Sequence, residues 1–350
     1  MGHDVVVLRR EYARQRISVC GALTYYAKHI VKLALGKQSS WHYAMSNDVR
    51  NYVGKNTLRF IQDNLQPSSA LCYSTEQLDA EVERWGLDAI IVGSDQVWRP
   101  VYSPGQSDYF FKFLPFGKKI RRISYAASFG VDECPFNQEE QRAYSELLKH
   151  FSAVSVREAS AVGICRDTLK VEATLVLDPT MLLDSTDYAG LTAERQSRGK
   201  LFCYVLDRTE EKQKAIASIS LETGLKHFEV LPELPNTVYN VYNDIEKCVQ
   251  PPLESWLSAF QEAEMVITDS FHGTVFSIIF NKPFWVIGNP NRGMARFHSL
   301  LNMFGLEHRL VTEDSIADID IREAIDWQRV NAKRSEMKQS SLHFLKESLA

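Results

Sequence analysis

From Met265 to Ile279 an apolar run of buried-strand type turns through Asp269, Ser270, Phe271, His272 and Gly273 into an apolar helix. In an open parallel sheet the carboxyl end of a strand faces the ligand crevice, and the start of the next helix offers unpaired N–H groups to an anion. His272 stands at that junction, beside a glycine that would let a ligand approach the backbone closely. An imidazole there can contact an anion or exchange a proton near neutral pH. The competing reading makes Asp269 or Ser270 a helix cap and His272 a helix-start residue. A second polar turn, Gly93-Ser94-Asp95-Gln96-Val97-Trp98, follows the apolar strand Asp88 to Val92. Its Asp95 and Gln96 either serve a site or bond turn amides.

The elements that must hold these turns alternate between strand and helix, which implies parallel sheets covered on both faces. Strands are expected at Val5 to Leu8, Asp88 to Val92, Arg122 to Ala126, Val154 to Val156 and Leu175 to Leu177, with helices at Ala22 to Leu35, Leu78 to Trp85, Gln138 to His150 and from Ala159. After a polar linker from Ala193 to Lys200, a second series has strands at Leu201 to Leu206, Phe228 to Leu231, Met265 to Thr268 and Phe284 to Ile287. Its helices are expected at Glu210 to Thr223, Trp256 to Ala263 and Gly293 to Phe304. The expectation is an α/β protein of two Rossmann-like halves, residues 1–192 and 193–323, meeting at a cleft. Residues 324–350 carry Ile325, Trp327, Val330, Met337, Leu342, Phe344, Leu345 and Leu349 at helical intervals, and are expected to pack back over one domain.

Composition narrows the function. The 350 residues are 45% hydrophobic and 24% charged, ordinary for a globular enzyme of two domains. A formal charge of −4 gives no general attraction for nucleic acid or anionic lipid, so an anionic ligand must be held by local cations. Cys20, Cys72, Cys134, Cys165, Cys203 and Cys248 contain no C-x-x-C pair, which argues against a zinc site or redox motif. The apolar stretches near Val275 and Phe284 are interrupted by Asn281, Lys282 and Pro283, too soon for a bilayer span. The first residues lack a signal peptide's apolar core, so the cytoplasm is the expected location.

Read together, Gly93 to Trp98, Tyr125 to Gly130, Ser155-Val156-Arg157-Glu158 with Ser160, Leu177-Asp178-Pro179-Thr180, Asp269 to Gly273 and Arg292 to Leu301 resemble the polysaccharide pyruvyltransferase family. The resemblance implies a fold like two-domain glycosyltransferases of the B type. It also implies phosphoenolpyruvate as co-substrate, with no separate cofactor, and a saccharide acceptor of a capsular or exopolysaccharide repeat, expected to be lipid-linked. The product is a pyruvate ketal, and phosphate is released. The family's donor site would fall on Arg157, His272 and Arg296. Two departures stand out. Ser270 occupies a position where many members have an arginine, and the chain starts at a segment that members usually precede with a strand, a glycine turn and a helix. The expectation is that a first strand and helix are missing.

The residue types fit that chemistry. Phosphoenolpyruvate carries a carboxylate and a phosphate, both suited to bidentate arginine, so Arg157, Arg292 and Arg296 are donor-binding candidates, with Ser270 and Gly273 beside them. His272 could contact phosphate or act as general acid, and Asp95 or Asp269 could take hydroxyl protons. The scheme requires no metal. Gln96, Trp98 and Ser128 are acceptor-side candidates, although Trp98 equally suits a core. Arg292 and Arg296 could instead be solvated charges, Arg157 could pair with Glu158, and Asp178-Pro179 reads as a strand exit. Lys118 to Arg122 reads as a solvated edge, or as a contact to lipid-linked pyrophosphate at the inner face of a membrane. A nucleotide-sugar glycosyltransferase and a non-catalytic paralogue remain as alternatives. The former draws on Asp318-Ile319-Asp320, which also reads as a cap for a helix from Arg322.

Overall fold

The computed structural model describes residues 2–12, 19–35, 44–100, 102–192, 199–288, 293–316 and 319–350. Among them, every strand pairing is parallel. Strands β1 (Val7–Arg10) and β2 (Ser68–Cys72) form a pair, and β3 (Ala89–Val92), β4 (Arg121–Ala127), β5 (Ala153–Val156) and β6 (Thr174–Leu175) form a sheet in sequential order. The second half holds β7 (Leu201–Tyr204), β8 (His227–Phe228), β9 (Met265–Thr268), β10 (Phe284–Ile287) and β11 (Leu310–Val311), ordered β11-β10-β9-β7-β8. β9 and β10 are buried at all their positions, as an apolar strand covered on both faces must be. The α/β class with parallel sheets thus follows from sequence as expected.

Local chemistry sets the helices. Asn137 and Glu140 form a reciprocal capping box that starts the Gln138–Leu148 helix. Ser74 caps the Thr75–Trp85 helix, and left-handed Gly86 ends it. The short Asn47–Val53 and Lys55–Asn64 helices, divided by Gly54, add to the expected elements, and the second buries no residue. The strand expected at Phe228 to Leu231 shortens to the edge pair β8. No helix starts at Arg322: the Asp320 carboxylate accepts from the Arg322 N–H in a turn, and the helix begins at Trp327 with Asp326 as cap. Asp318 lies outside the described residues.

The two halves share material. Met181 and Tyr188, from the stretch expected in the first domain, pack into the second half's core with Phe276 and Leu257. The Trp327–Leu349 helix crosses both halves, which corrects the expectation of one. Val330 and Met337 pack on the second half's core, while Phe344 and Leu345 reach Tyr125 and Val176 of the first. At 1.5 Å per residue the helix is about 35 Å long, enough for both contacts. Ser341 accepts from the Leu177 N–H at 3.0 Å, and Lys338 and Arg334 pair with Asp184. Arg122, expected on a solvated edge, is buried in β4 and donates to the Leu114 and Pro115 carbonyls.

Candidate active site

The carboxyl ends of strands from both sheets deliver charged side chains to one cleft. β5 leads to Arg157 and Glu158, β3 leads to Asp95, β6 leads to Asp178, and β9 leads to His272. Arg157 ties the group together. Its side chain is 1% exposed, with Nη1 donating to Asp178 Oδ2 at 2.6 Å, Nη2 donating to Asp95 Oδ1 at 2.9 Å, and Nε 3.9 Å from Glu158 Oε2. Its guanidinium lies 4.5 Å from the ring centre of Phe271, and that of Arg296 lies 5.4 Å from the same ring. Arg157 of the first half and Arg296 of the second therefore share one aromatic ring of the second half.

The halves meet closely around this cluster. The Ala159 N–H donates to Ser299 Oγ at 2.9 Å, so one half caps a helix of the other. Gly293 has a φ of +87°, and a Cβ added there would lie 2.1 Å from the carbonyl oxygen of Gly130. That approach requires glycine for both space and backbone geometry.

Burial and charge give each group a distinct state. Burial works against ionisation of Asp178, yet Arg157, His272 and a Thr180 hydrogen bond outweigh it and hold the carboxyl below its ordinary range. Asp95 behaves likewise under Arg157 and its Gln96 backbone contact, but its side chain is 68% exposed and projects into the open cleft. Glu158 goes the other way. Burial pushes it up against Arg157, the Ser128 hydroxyl at 2.6 Å and the Gly130 N–H at 3.0 Å. Burial also opposes the charge of Arg157, but Asp178, Glu158 and Asp95 raise it overall. Arg296 is pushed down to about 10 by burial and then by Arg157, so its positive charge is held at a cost. His272 is lowered chiefly by burial, with Asp178 at 3.9 Å pulling the opposite way. Near neutral pH it is a neutral imidazole, partly open to the cleft.

The structure thus brings Asp95, Arg157, His272 and Arg296 together, and separates others. Asp269 is fully buried and accepts from the Leu206 N–H at 2.7 Å, the Asp207 N–H at 3.1 Å and Lys212 Nζ at 3.0 Å. This corrects its expected role as a base, because the carboxylate fixes the loop after β7. Gly273 does not open the backbone to a ligand: an added Cβ would lie 2.2 Å from Thr268 Oγ1, so the glycine serves close helix–strand packing. Ser270 caps the Phe271–Ile279 helix by accepting from the Gly273 N–H at 3.4 Å. Trp98 is no acceptor platform, since it is fully buried, stacks on Phe110 and donates Nε1 to the Tyr109 carbonyl. Ser128 is also buried and spends its hydroxyl on Glu158. Gln96 packs against Gly130, where a Cβ would lie 1.9 Å from its Nε2. Arg292 lies outside the described residues. Sequence reasoning missed Asp178 as a site member; the available signal was a carboxylate at the end of a parallel strand.

A glycosyltransferase from Rickettsia africae ESF-5 aligns over 98% of each chain at a TM-score of 0.50 and 9% identity. UDP-GlcNAc 2-epimerases from Methanocaldococcus jannaschii (TM-score 0.49, 13% identity, 97% of this chain and 99% of that one) and Neisseria meningitidis (0.43, 11%, 97% and 100%) also align. At such identities the likeness concerns fold alone, and the glycosyltransferase match carries it. No curated protein matches the sequence significantly. Among the described residues, no helix is long and apolar enough to cross a membrane. The sequence profile of polysaccharide pyruvyl transferase matches residues 7–291, most of the chain, and the chain therefore belongs to the polysaccharide pyruvyl transferase family, a family of transferases.

Proposed function

We propose that the cleft transfers the pyruvyl group of phosphoenolpyruvate to a sugar of a capsular or exopolysaccharide repeat. The observation that carries this reading is the cluster of an exposed Asp95 carboxylate, a partly exposed His272 imidazole, and an Arg296 guanidinium 4.0 Å from Asp95 whose pKa is depressed by burial. An anionic donor entering beside Arg296 relieves that depression, so binding and charge compensation occur together.

Arg157 is held by carboxylates and acts as a positioning residue, fixing Asp95 and Asp178. Arg296 receives the donor's carboxylate or phosphate. Asp95, the exposed carboxylate, accepts the proton of the attacking sugar hydroxyl. That oxygen bonds to the central carbon of phosphoenolpyruvate while the methylene carbon takes a proton and becomes a methyl group. The bond from the central carbon to the phosphate oxygen then breaks, and the second hydroxyl closes the ketal. Of the two hydroxyl protons, one is balanced by the new C–H bond and the other leaves with phosphate. His272 is suited to the proton transfers, because the bound anion raises its pKa towards neutrality.

The test is phosphate release from phosphoenolpyruvate with a panel of lipid-linked and free oligosaccharides, followed by mass analysis of the sugar. Acceptor-dependent release with a ketal on the sugar supports the reading. Transfer from a nucleotide sugar, with none from phosphoenolpyruvate, overturns it.

A further inference from the structure

The Val19–Ala34 helix turns its apolar face outward. At 100° per residue Leu23, Tyr26, Ala27, Ile30, Val31 and Ala34 share one face, while Tyr25 and His29 lie opposite. In a helix on a soluble surface the first set would face the core. Here it faces outward: Leu23, Ile30, Val31 and the following Leu35 are 58–66% exposed and Tyr26 is exposed as well. On the opposite side His29 is buried with its ring stacked on Tyr25, while Thr24, Lys28 and Lys32 are exposed. A contiguous apolar stripe of this kind marks an interaction surface.

Charge identifies the occupant. Lys28 borders the stripe, Lys32 lies one turn further on the polar side, both are exposed, and the helix has no acidic residue. From Tyr12 to Asn47 the sequence has Arg14, Arg16, Lys28, Lys32 and Lys37 and no Asp or Glu, although the whole chain is net −4. This local excess of positive charge runs against the chain's average, and two such faces brought together in a dimer would repel. The helix is also too short to cross a membrane. We infer that this face docks on the surface of an anionic bilayer, with the helix in the interfacial plane, apolar residues among the acyl chains and lysines at the headgroups. The inference does not depend on which donor the cleft uses.

Vesicle flotation of the full chain tests it, with phosphatidylcholine vesicles with and without phosphatidylglycerol. Expected is flotation with the anionic vesicles only, weakened by salt. A Lys28→Gln/Lys32→Gln variant should bind roughly thirtyfold more weakly at low salt, because each lysine near an anionic surface contributes a factor of about five. Leu23→Asp/Ile30→Asp should abolish flotation with an unchanged circular dichroism spectrum. Absence of flotation by the wild type overturns the inference, as does flotation insensitive to both variants. A concentration-dependent dimer, seen without vesicles and dissolved by Leu23→Asp/Ile30→Asp, would also overturn it by assigning the face to a second copy.

Discussion

Arg157 is where geometry makes its sharpest energetic statement. Its two guanidinium arms differ in setting. The Asp178 arm joins two side chains each 1% exposed, whereas the Asp95 arm reaches a carboxylate that is 68% exposed. Removing one partner of a buried pair costs about 3–5 kcal/mol, because the other charge is left without compensation. A solvent-exposed pair contributes about 0–1 kcal/mol. Arg157→Met should therefore lower the unfolding free energy by about 3–5 kcal/mol at pH 7, and Asp95→Asn by no more than about 1. The assay is equilibrium denaturation in urea, repeated at falling pH. Asp178 has a depressed folded pKa, so its stabilisation of the wild type is present above the unfolded carboxyl value and is lost as pH falls through the folded one. In Arg157→Met, burial instead raises that pKa and the carboxyl takes up a proton more readily. The gap between wild type and variant should then narrow as pH drops through the carboxylate range. A penalty below about 1 kcal/mol at pH 7, or one constant with pH, would refute the reasoning.

Other consequences can be measured with the same preparations. Lys212→Met leaves Asp269 buried with only amide partners, and should cost about 3–5 kcal/mol in denaturation while the double variant Lys212→Met/Asp269→Leu recovers part of it. Gly273→Ala forces a Cβ onto Thr268 Oγ1 and should lower stability by about 1–3 kcal/mol, read as a reduced denaturation midpoint. The lowered pKa of His272 means that its contribution to stability is complete above the unfolded value near 6.5 and is lost as pH falls below it, so His272→Gln should flatten the stability curve on the acidic side of neutrality. Asp95→Asn, nearly neutral for stability, should lower turnover by about 10²- to 10⁴-fold if its carboxylate accepts the hydroxyl proton.

The sequence was most legible where one residue type had one use. Apolar β9 and β10, with the polar junction after β9, follow from uninterrupted hydrophobicity and placed His272 at a strand end. What a carboxylate does after its strand was not legible, because its partner lies far along the chain. Asp269 turns to Lys212, 57 positions away, and Arg157 meets Asp95 and Asp178 at separations of 62 and 21. Lys212 sits in the first turn of a helix, where a lysine normally reads as solvated surface. Trp98 was ambiguous because an indole suits a sugar face and a core equally, and Tyr109 settled the matter by offering a carbonyl in the interior. The Val19–Ala34 helix shows the opposite limit: its periodicity is plain, but only the fold reveals that its apolar side faces out.

The donor claim is tested most directly by calorimetric titration of phosphoenolpyruvate into the wild type, His272→Ala and Arg296→Ala, each first shown to be folded. The account predicts saturable binding that Arg296→Ala weakens most. It also predicts proton uptake on binding at neutral pH, read from the dependence of the heat on buffer and lost in His272→Ala. Saturable binding with equal affinity in all three proteins, or no binding to the folded wild type, would contradict it.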